Sequence, residues 1–262
     1  MPELRFDDGA AYEQMMGVWS RLVGEIFLDW LKPAHGLRWI DVGCGNGAFT
    51  ELIMSRCAPV EVQGIDPSDG QLAFARTRPG ARGANFREGD AMALPFAADS
   101  FDAAVMALVL VFVPDPAKGI AELVRVARPG GLVATYMWDM VSGGFPLDPI
   151  LAETAAMGLS PTRPPSMEAS QLDALKAYWT AAGLRQIETR EIAVQRTFGN
   201  FEEFWQVETK APSLAPTIAT MPPADVATLR QRVQARLPAD ADGRIVYGAR
   251  AHAIKGCKPH SP

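Results

Sequence analysis

A chain of 262 residues, 48% of them hydrophobic, has enough apolar material for one large α/β core. Its formal net charge of −5 and the lack of any basic run argue against a nucleic-acid surface as the main partner. Three cysteines, Cys44, Cys57 and Cys257, are odd in number and fit neither a disulfide framework nor metal-ligand spacing, which favours a reducing compartment.

The start, MPELRFDDGAAYEQ, has no positive region ahead of an apolar core, and no stretch approaches the ~18 apolar residues that span a bilayer. The expectation is a cytoplasmic protein. Leu37 to Val42 reads as a strand, and Phe49, Leu52 and Ile53 mark one face of the helix behind it. Val60 to Asp66 is a second strand, with a helix from near Ser68, and Ala84 to Glu88 is a shorter third. Phe101 to Phe112 reads as a buried strand running into a loop. Ile120, Leu123, Val124 and Ala127 recur at helical spacing until RPGG (Arg128 to Gly131) stops the helix, and LVATYMW follows as a strand. Strand–helix alternation with short connections implies a mainly parallel sheet covered on both faces, and right-handed crossovers restrict it to a doubly wound topology.

After Asp139 the pattern changes. Residues 140–170 are rich in Pro, Gly, Ser and Met and read as a loop-dominated excursion. Leu172, Leu175, Tyr178 and Trp179 restore a helical face, and Gly183 to Phe198 looks like a long strand. Residues 200–237 carry a helical stripe of Val226, Leu229, Val233 and Leu237, and Gly243 to Gly256 closes as the last strand. With no repeat and no linker, one domain is expected, with 12–139 as its ligand-binding core. Residues 140–182 and 200–237 are expected to form a helical cap over that core.

The stretch WIDVGCGNGAFT, from Trp39 to Thr50, puts Gly43, Gly45 and Gly47 directly behind Asp41. In an open parallel sheet, ligands bind at the carboxyl ends of the strands, where the first strand–helix loop lies. Glycine there allows positive φ and a close backbone approach. A dinucleotide fingerprint is G-x-G-x-x-G, whereas this turn is D-x-G-x-G-x-G. A carboxylate in front of the loop repels a pyrophosphate and suits a cationic ammonium. Asp66 ends the second strand at the position where an acid grips ribose hydroxyls, and Asp90 follows the third, within reach of an adenine amino group.

DVGCGNG, GIDPS, EGDAMALPFAADSFDAAV and RVARPGG, in this order and spacing, together resemble class I S-adenosylmethionine-dependent methyltransferases. The nearest branch is the small-molecule one that includes the ubiquinone/menaquinone-biosynthesis methyltransferases. The resemblance covers residues 12–139 well and only the terminal strands thereafter. It implies a Rossmann-like, mostly parallel seven-stranded sheet with the last strand antiparallel, and S-adenosyl-L-methionine as cofactor. On that resemblance Asp41, Gly43, Cys44, Gly45 and Gly47 hold the methionine portion, Asp66 takes the ribose, and Pro67 and Ser68 shape that edge. Asp90 and Ala91 meet the adenine, and Ala107 and Leu108 lie under the sulfonium. YEQMMGVWSRL resembles the lid helix of these relatives, making Tyr12, Met16, Trp19 and Ser20 further contact candidates. Many relatives carry histidine just before the Pro-Asp that follows the fourth strand. Here Val111 and Phe112 stand there, which predicts an apolar mouth.

Methyl transfer from a sulfonium needs alignment first, and a general base only where the acceptor must lose a proton. His35 precedes the first strand, His252 lies within the last and His260 follows it, so none is well placed. Asp139, ending the fifth strand, is the best-placed carboxylate, although a capping role is the plainer reading. Cys44 reads as a small residue packed behind the turn. Phe112 and Trp138 are the acceptor-pocket candidates. The expected function is methyl transfer to a small, apolar or aromatic metabolite, with O-, N- and C-methylation all open. Two rivals stay open: a nicotinamide-dependent oxidoreductase, and a cofactor-binding module without catalysis.

Overall fold

A computed structural model describes residues 13–260; Tyr12 lies outside them. A π-helical turn, Glu13–Gly17, leads into helix α1 (Val18–Leu31). Strand β1 (Arg38–Val42), helix α2 (Ala48–Cys57), β2 (Glu61–Asp66), α3 (Asp69–Thr77), β3 (Asn85–Glu88) and β4 (Phe101–Ala107) then alternate. Helix α4 (Pro116–Val126) and β5 (Ala127–Trp138) complete the parallel half. The remainder is α5 (Asp148–Ala156), α6 (Leu172–Ala181), β6 (Arg185–Phe198), α7 (Phe201–Glu208), α8 (Ala215–Ala219), α9 (Pro223–Arg236) and β7 (Ile245–Cys257).

The seven strands form one sheet in the order β3-β2-β1-β4-β5-β7-β6, with β7 antiparallel to both its neighbours. The expected doubly wound sheet is therefore what forms. Strand periodicity explains its two cores. Trp39, Val105 and Tyr136 point to the face covered by α1 and α2, while their neighbours Ile40, Met106 and Met137 point to the face covered by α4 and α6. Both faces are apolar, so these strands read as continuous hydrophobic runs.

Three local expectations differ from the structure. RPGG ends α4 but does not stand outside the sheet: β5 already begins at Ala127, which pairs with Phe101 before a register shift carries Leu132 opposite Ala103. Gly130 N–H donates to Lys258 O at 2.8 Å, so the irregular stretch keeps a backbone partner. Strand β4 stops at Ala107, because Leu108 takes a left-handed φ of 62° and a short 3₁₀ turn, Leu110–Phe112, follows. Helix α6 falls within the residues expected to cap the site, yet it packs on β6, β7 and α4. Trp179 anchors it to the sheet, its Nε1 donating to Val133 O at 3.3 Å. Helices α5 and α9 do pack on one another away from the sheet layer, and both contribute to a cavity beyond the β4 and β5 ends.

Candidate functional site

The glycine turn sits between the carboxyl ends of β1 and β2. Gly43 and Cys44 both donate to Ile65 O, at 2.7 and 2.9 Å, which pins the turn to the neighbouring strand. Its glycines do different work. Gly43, at φ 73°, faces Val109, whose Cγ2 lies 2.3 Å from where a Cβ would stand. Gly45, at φ 50°, opens onto space in which the nearest atom to a Cβ is Gln71 Oε1 at 3.9 Å. The turn is thus packed tight on one side and leaves a backbone-lined opening on the other.

Two acids flank this opening. Asp41 is fully buried at the end of β1; Thr50 Oγ1 donates to its Oδ2 at 2.7 Å, while its Oδ1 accepts nothing among the described residues. Burial raises its carboxyl to about 7, with Asp66 adding and Thr50 opposing. An orphaned acceptor in an enclosed site calls for a donor, and a cationic one suits it best. Asp66 Oδ2 accepts from Gly45 N–H and its Oδ1 from Ser68 N–H, both at 2.9 Å. Burial raises Asp66 too, against those two bonds. Each oxygen keeps a second lone pair, enough to accept from a ribose diol. The residues present therefore fit S-adenosylmethionine: an open glycine edge, an unsatisfied acid for its ammonium and a second acid for its hydroxyls.

Other candidates fall around this centre. Ser68 N-caps α3, its Oγ accepting from Gln71 N–H, and Pro67 sets that edge. Asp90 is exposed and folds back on itself, accepting from Met92 N–H at 2.8 Å, and Ala91 packs on the second core beside it. Cys44 is buried against Gly64, and burial with Asp41 and Asp66 nearby pushes its thiol well up, leaving it protonated. Ala107 and Leu108 end β4, Leu108 N–H donating to Tyr136 O at 2.9 Å. A leucine at positive φ is strained, and such strain collects where a site needs a fixed backbone.

Leu108 also lines a cavity of about 680 Å3, together with Met15, Met16, Phe112, Trp138 and Tyr247. That volume lies in the range of small-molecule pockets. Val111 and Phe112 are both among its lining residues. Met16 lines it, but Trp19 does not: its indole donates to buried Glu208 at 3.0 Å and packs edge-on against Trp138 and Tyr247. Trp19 is a wall behind the cavity rather than a cavity contact. Ser20 Oγ is buried with no partner among the described residues.

Asp139 is placed differently. Its Oδ2 accepts from Arg250 Nη2 at 2.5 Å and its Oδ1 from Ser142 N–H at 2.9 Å. Despite its burial, these partners hold the carboxyl below its usual range. It caps the turn after β5 and is not among the cavity residues. His252 is likewise committed, its Nδ1 lying 2.8 Å from Ser170 O.

Residues not singled out in the sequence brace the turn. Asn46 Nδ2 donates to Glu13 Oε2 at 2.8 Å, and Arg78 bridges Glu13, Glu51 and Asn46 O. Asn46 lies inside the motif and was legible as a polar residue there; Arg78 and Glu13 carry no local pattern. Asp148, in the excursion after β5, also lines the cavity.

The geometry defines a class of site: a doubly wound sheet whose glycine turn lies between the fully buried Asp41 at the end of β1 and Asp66 at the end of β2. Residues 40–135 match the family model described as a methyltransferase domain, in agreement with the resemblance to class I S-adenosylmethionine-dependent methyltransferases. Among its relatives, it is 43% identical over 108 residues to 2-methyl-6-phytyl-1,4-hydroquinone methyltransferase 2 of Oryza sativa subsp. japonica, covering 40% of this chain and 31% of that one. It is 32% identical over 192 residues to the O-methyltransferase cnsE of Penicillium expansum, covering 71% of this chain and 66% of that one. The chain thus spans about a third of the first relative's length and just under two thirds of the second's. Among solved structures, phosphoethanolamine N-methyltransferase 2 of Haemonchus contortus, in complex with phosphomonomethylethanolamine and S-adenosylhomocysteine, shares the fold at TM-score 0.58 and 18% identity, covering 95% of this chain and 56% of that one. No helix among the described residues is long and apolar enough to cross a membrane.

Proposed function

We propose that this chain transfers a methyl group from S-adenosylmethionine to a small, apolar or aromatic acceptor of the quinol type. The observation that carries this reading is the shared position of Leu108. It closes the strand beside the glycine turn and also lines the cavity on the far side.

When bound, S-adenosylmethionine supplies a methyl group already activated on a cationic sulfonium. The chain's own part is to bind, orient and keep out water. Asp41 and the Gly43–Gly47 turn hold the amino-acid end, Asp66 with Pro67 and Ser68 the ribose, and Asp90 and Ala91 the adenine. Met16 and Phe112 border the acceptor space, and Trp138 forms its wall with Trp19 behind it. Orientation of this kind contributes on the order of 7–11 kcal/mol to a barrier, and a closed apolar pocket protects the donor from water. The apolar lining and the hydroquinone substrate in a relative's name favour an aromatic acceptor.

Titration with S-adenosylhomocysteine and with NADH tests the donor, and transfer of labelled methyl groups to a quinol panel tests the reaction. Binding of the first and a labelled product are expected. Binding of NADH alone, or tight S-adenosylhomocysteine binding with no labelled product from any acceptor, overturns the reading.

A further inference from the structure

The cavity is lined mainly by apolar side chains, but not throughout. Asp148, the first residue of α5, lines it beside Tyr247 from β7. One backbone unit, that of Phe145, joins the two: its N–H donates to Asp148 Oδ2 at 2.8 Å, and its carbonyl lies 3.4 Å from the Tyr247 hydroxyl. Asp148 Oδ1 accepts no hydrogen bond among the described residues, so half of the carboxylate is available to the cavity. Asp148 and Tyr247, on two different elements, thus meet a cavity lined mainly by apolar side chains, the arrangement by which pockets fix a ligand's orientation.

We propose that Asp148, with Tyr247 beside it, is the hydroxyl-recognising end of the acceptor cavity, and that its Oδ1 accepts the O–H of a phenolic acceptor. The inference rests on the methyltransferase reading and names a residue for it. Proton movement there is simple: the acceptor's O–H bond breaks, the proton passes to Asp148 Oδ1, and the electron pair stays on the acceptor. That makes its oxygen, or the ring carbon conjugated with it, the better nucleophile.

The charge environment supports this role. Burial raises the Asp148 carboxyl to about 6; the Phe145 N–H opposes, Asp139 adds, and Arg163 and Arg250 oppose. Burial together with Asp148 and Glu208 pushes the Tyr247 hydroxyl up, so Tyr247 stays a neutral donor. Arg236 also lines the cavity but is engaged by Glu153 at 2.5 Å. Asp139, the strand-end acid, is tied up by Arg250, which leaves Asp148 as the cavity's carboxylate.

The test is binding, not turnover. With saturating S-adenosylhomocysteine, the affinities of 1-naphthol and 1-methoxynaphthalene are compared by calorimetry between pH 5 and pH 8, for the wild type and Asp148→Asn. The two probes share a ring system and differ in the O–H, and 1-naphthol stays neutral in this range. On the wild type, 1-naphthol should bind about tenfold tighter at pH 8, the effect of one hydrogen bond to a charged group. That preference should fade towards pH 5, as Asp148 takes a proton. In Asp148→Asn it should fall to about threefold or less at pH 8 and lose its pH dependence. An unchanged preference in the variant overturns the proposal, as does a wild-type preference that ignores pH or a failure of both probes to bind. If the variant does not fold, the wild-type pH series decides alone. Failure of S-adenosylhomocysteine to bind the wild type overturns the methyltransferase reading itself. Its binding with an unchanged naphthol preference removes only the role of Asp148.

Discussion

Thr50 Oγ1 donates to Asp41 Oδ2 at 2.7 Å, tying the first turn of α2 to the end of β1 beneath the glycine turn. One oxygen of a fully buried acid is satisfied by this bond, and the other has no hydrogen-bond partner among the described residues. The protein therefore carries, without ligand, an acid whose ionisation the fold resists.

That has a pH consequence with a definite sign. Burial lifts Asp41 from its ordinary 3.8 to about 7 in the folded chain. Its contribution to stability is full below about pH 4 and is lost as pH rises to about 7, because the unfolded chain ionises first. Asp41→Asn should match the ligand-free wild type at low pH and exceed it by roughly 2–4 kcal/mol at pH 8. Calorimetric melting across this range checks the trend. The same variant should lose the stabilisation that S-adenosylhomocysteine gives the wild type. A stability difference independent of pH would show that Asp41 is not held neutral.

Asp66→Ala should weaken S-adenosylhomocysteine by at least about tenfold, the effect of losing hydrogen bonds to a charged group. It also strips partners from the Gly45 and Ser68 N–H groups, so a stability loss of about 1–3 kcal/mol should accompany it. Asp66→Asn keeps one acceptor oxygen and should fall between. An unaltered dissociation constant in both variants would place the ribose elsewhere.

The three glycines should not respond alike. In Gly43→Ala the new Cβ meets Val109 at 2.3 Å and a positive φ, so a loss above about 2 kcal/mol is expected in denaturant melts. Gly45→Ala meets open space and should lose only about 1–2 kcal/mol from backbone strain. It places a methyl group in the opening proposed to take the cofactor's amino-acid end, however, and should lose most S-adenosylhomocysteine binding by calorimetry. Equal stability losses at both positions would contradict this division of labour.

Arg78 joins Glu13, Asn46 and Glu51 around the back of the turn. Arg78→Met should cost about 1–3 kcal/mol, since it removes the guanidinium from two partly buried carboxylates and a backbone carbonyl. Hydrogen exchange should rise together at Glu13–Gly17 and at the glycine turn. Faster exchange at only one of them would mean that the two segments are held independently.

Much of this molecule could be read from its residues. Hydrophobic runs and helical stripes located all seven strands, because burial on both faces leaves a strong local pattern in β1, β2, β4 and β5. Asp41, Gly43, Gly45, Gly47 and Asp66 were legible because a close backbone approach and a strand-ending acid are local requirements. Leu108 was legible only as the end of a strand; its left-handed backbone was not, since leucine has no propensity for it.

What only the tertiary structure decided depends on residues far apart in the chain. By sequence Asp139, ending β5, is the best-placed carboxylate, yet Arg250 claims it, while Asp148, in the excursion after β5 and not singled out by any local pattern, lines the cavity. Trp19 is claimed by Glu208, 189 positions away. Helix α6 belongs to the sheet because Trp179 finds Val133, not because its own stripe differs from that of α9. Local sequence determines which backbone shapes and donor sites are possible, since those follow from sterics and periodicity. Which side chains remain free for chemistry depends on pairing across the fold, and no short stretch of residues encodes that.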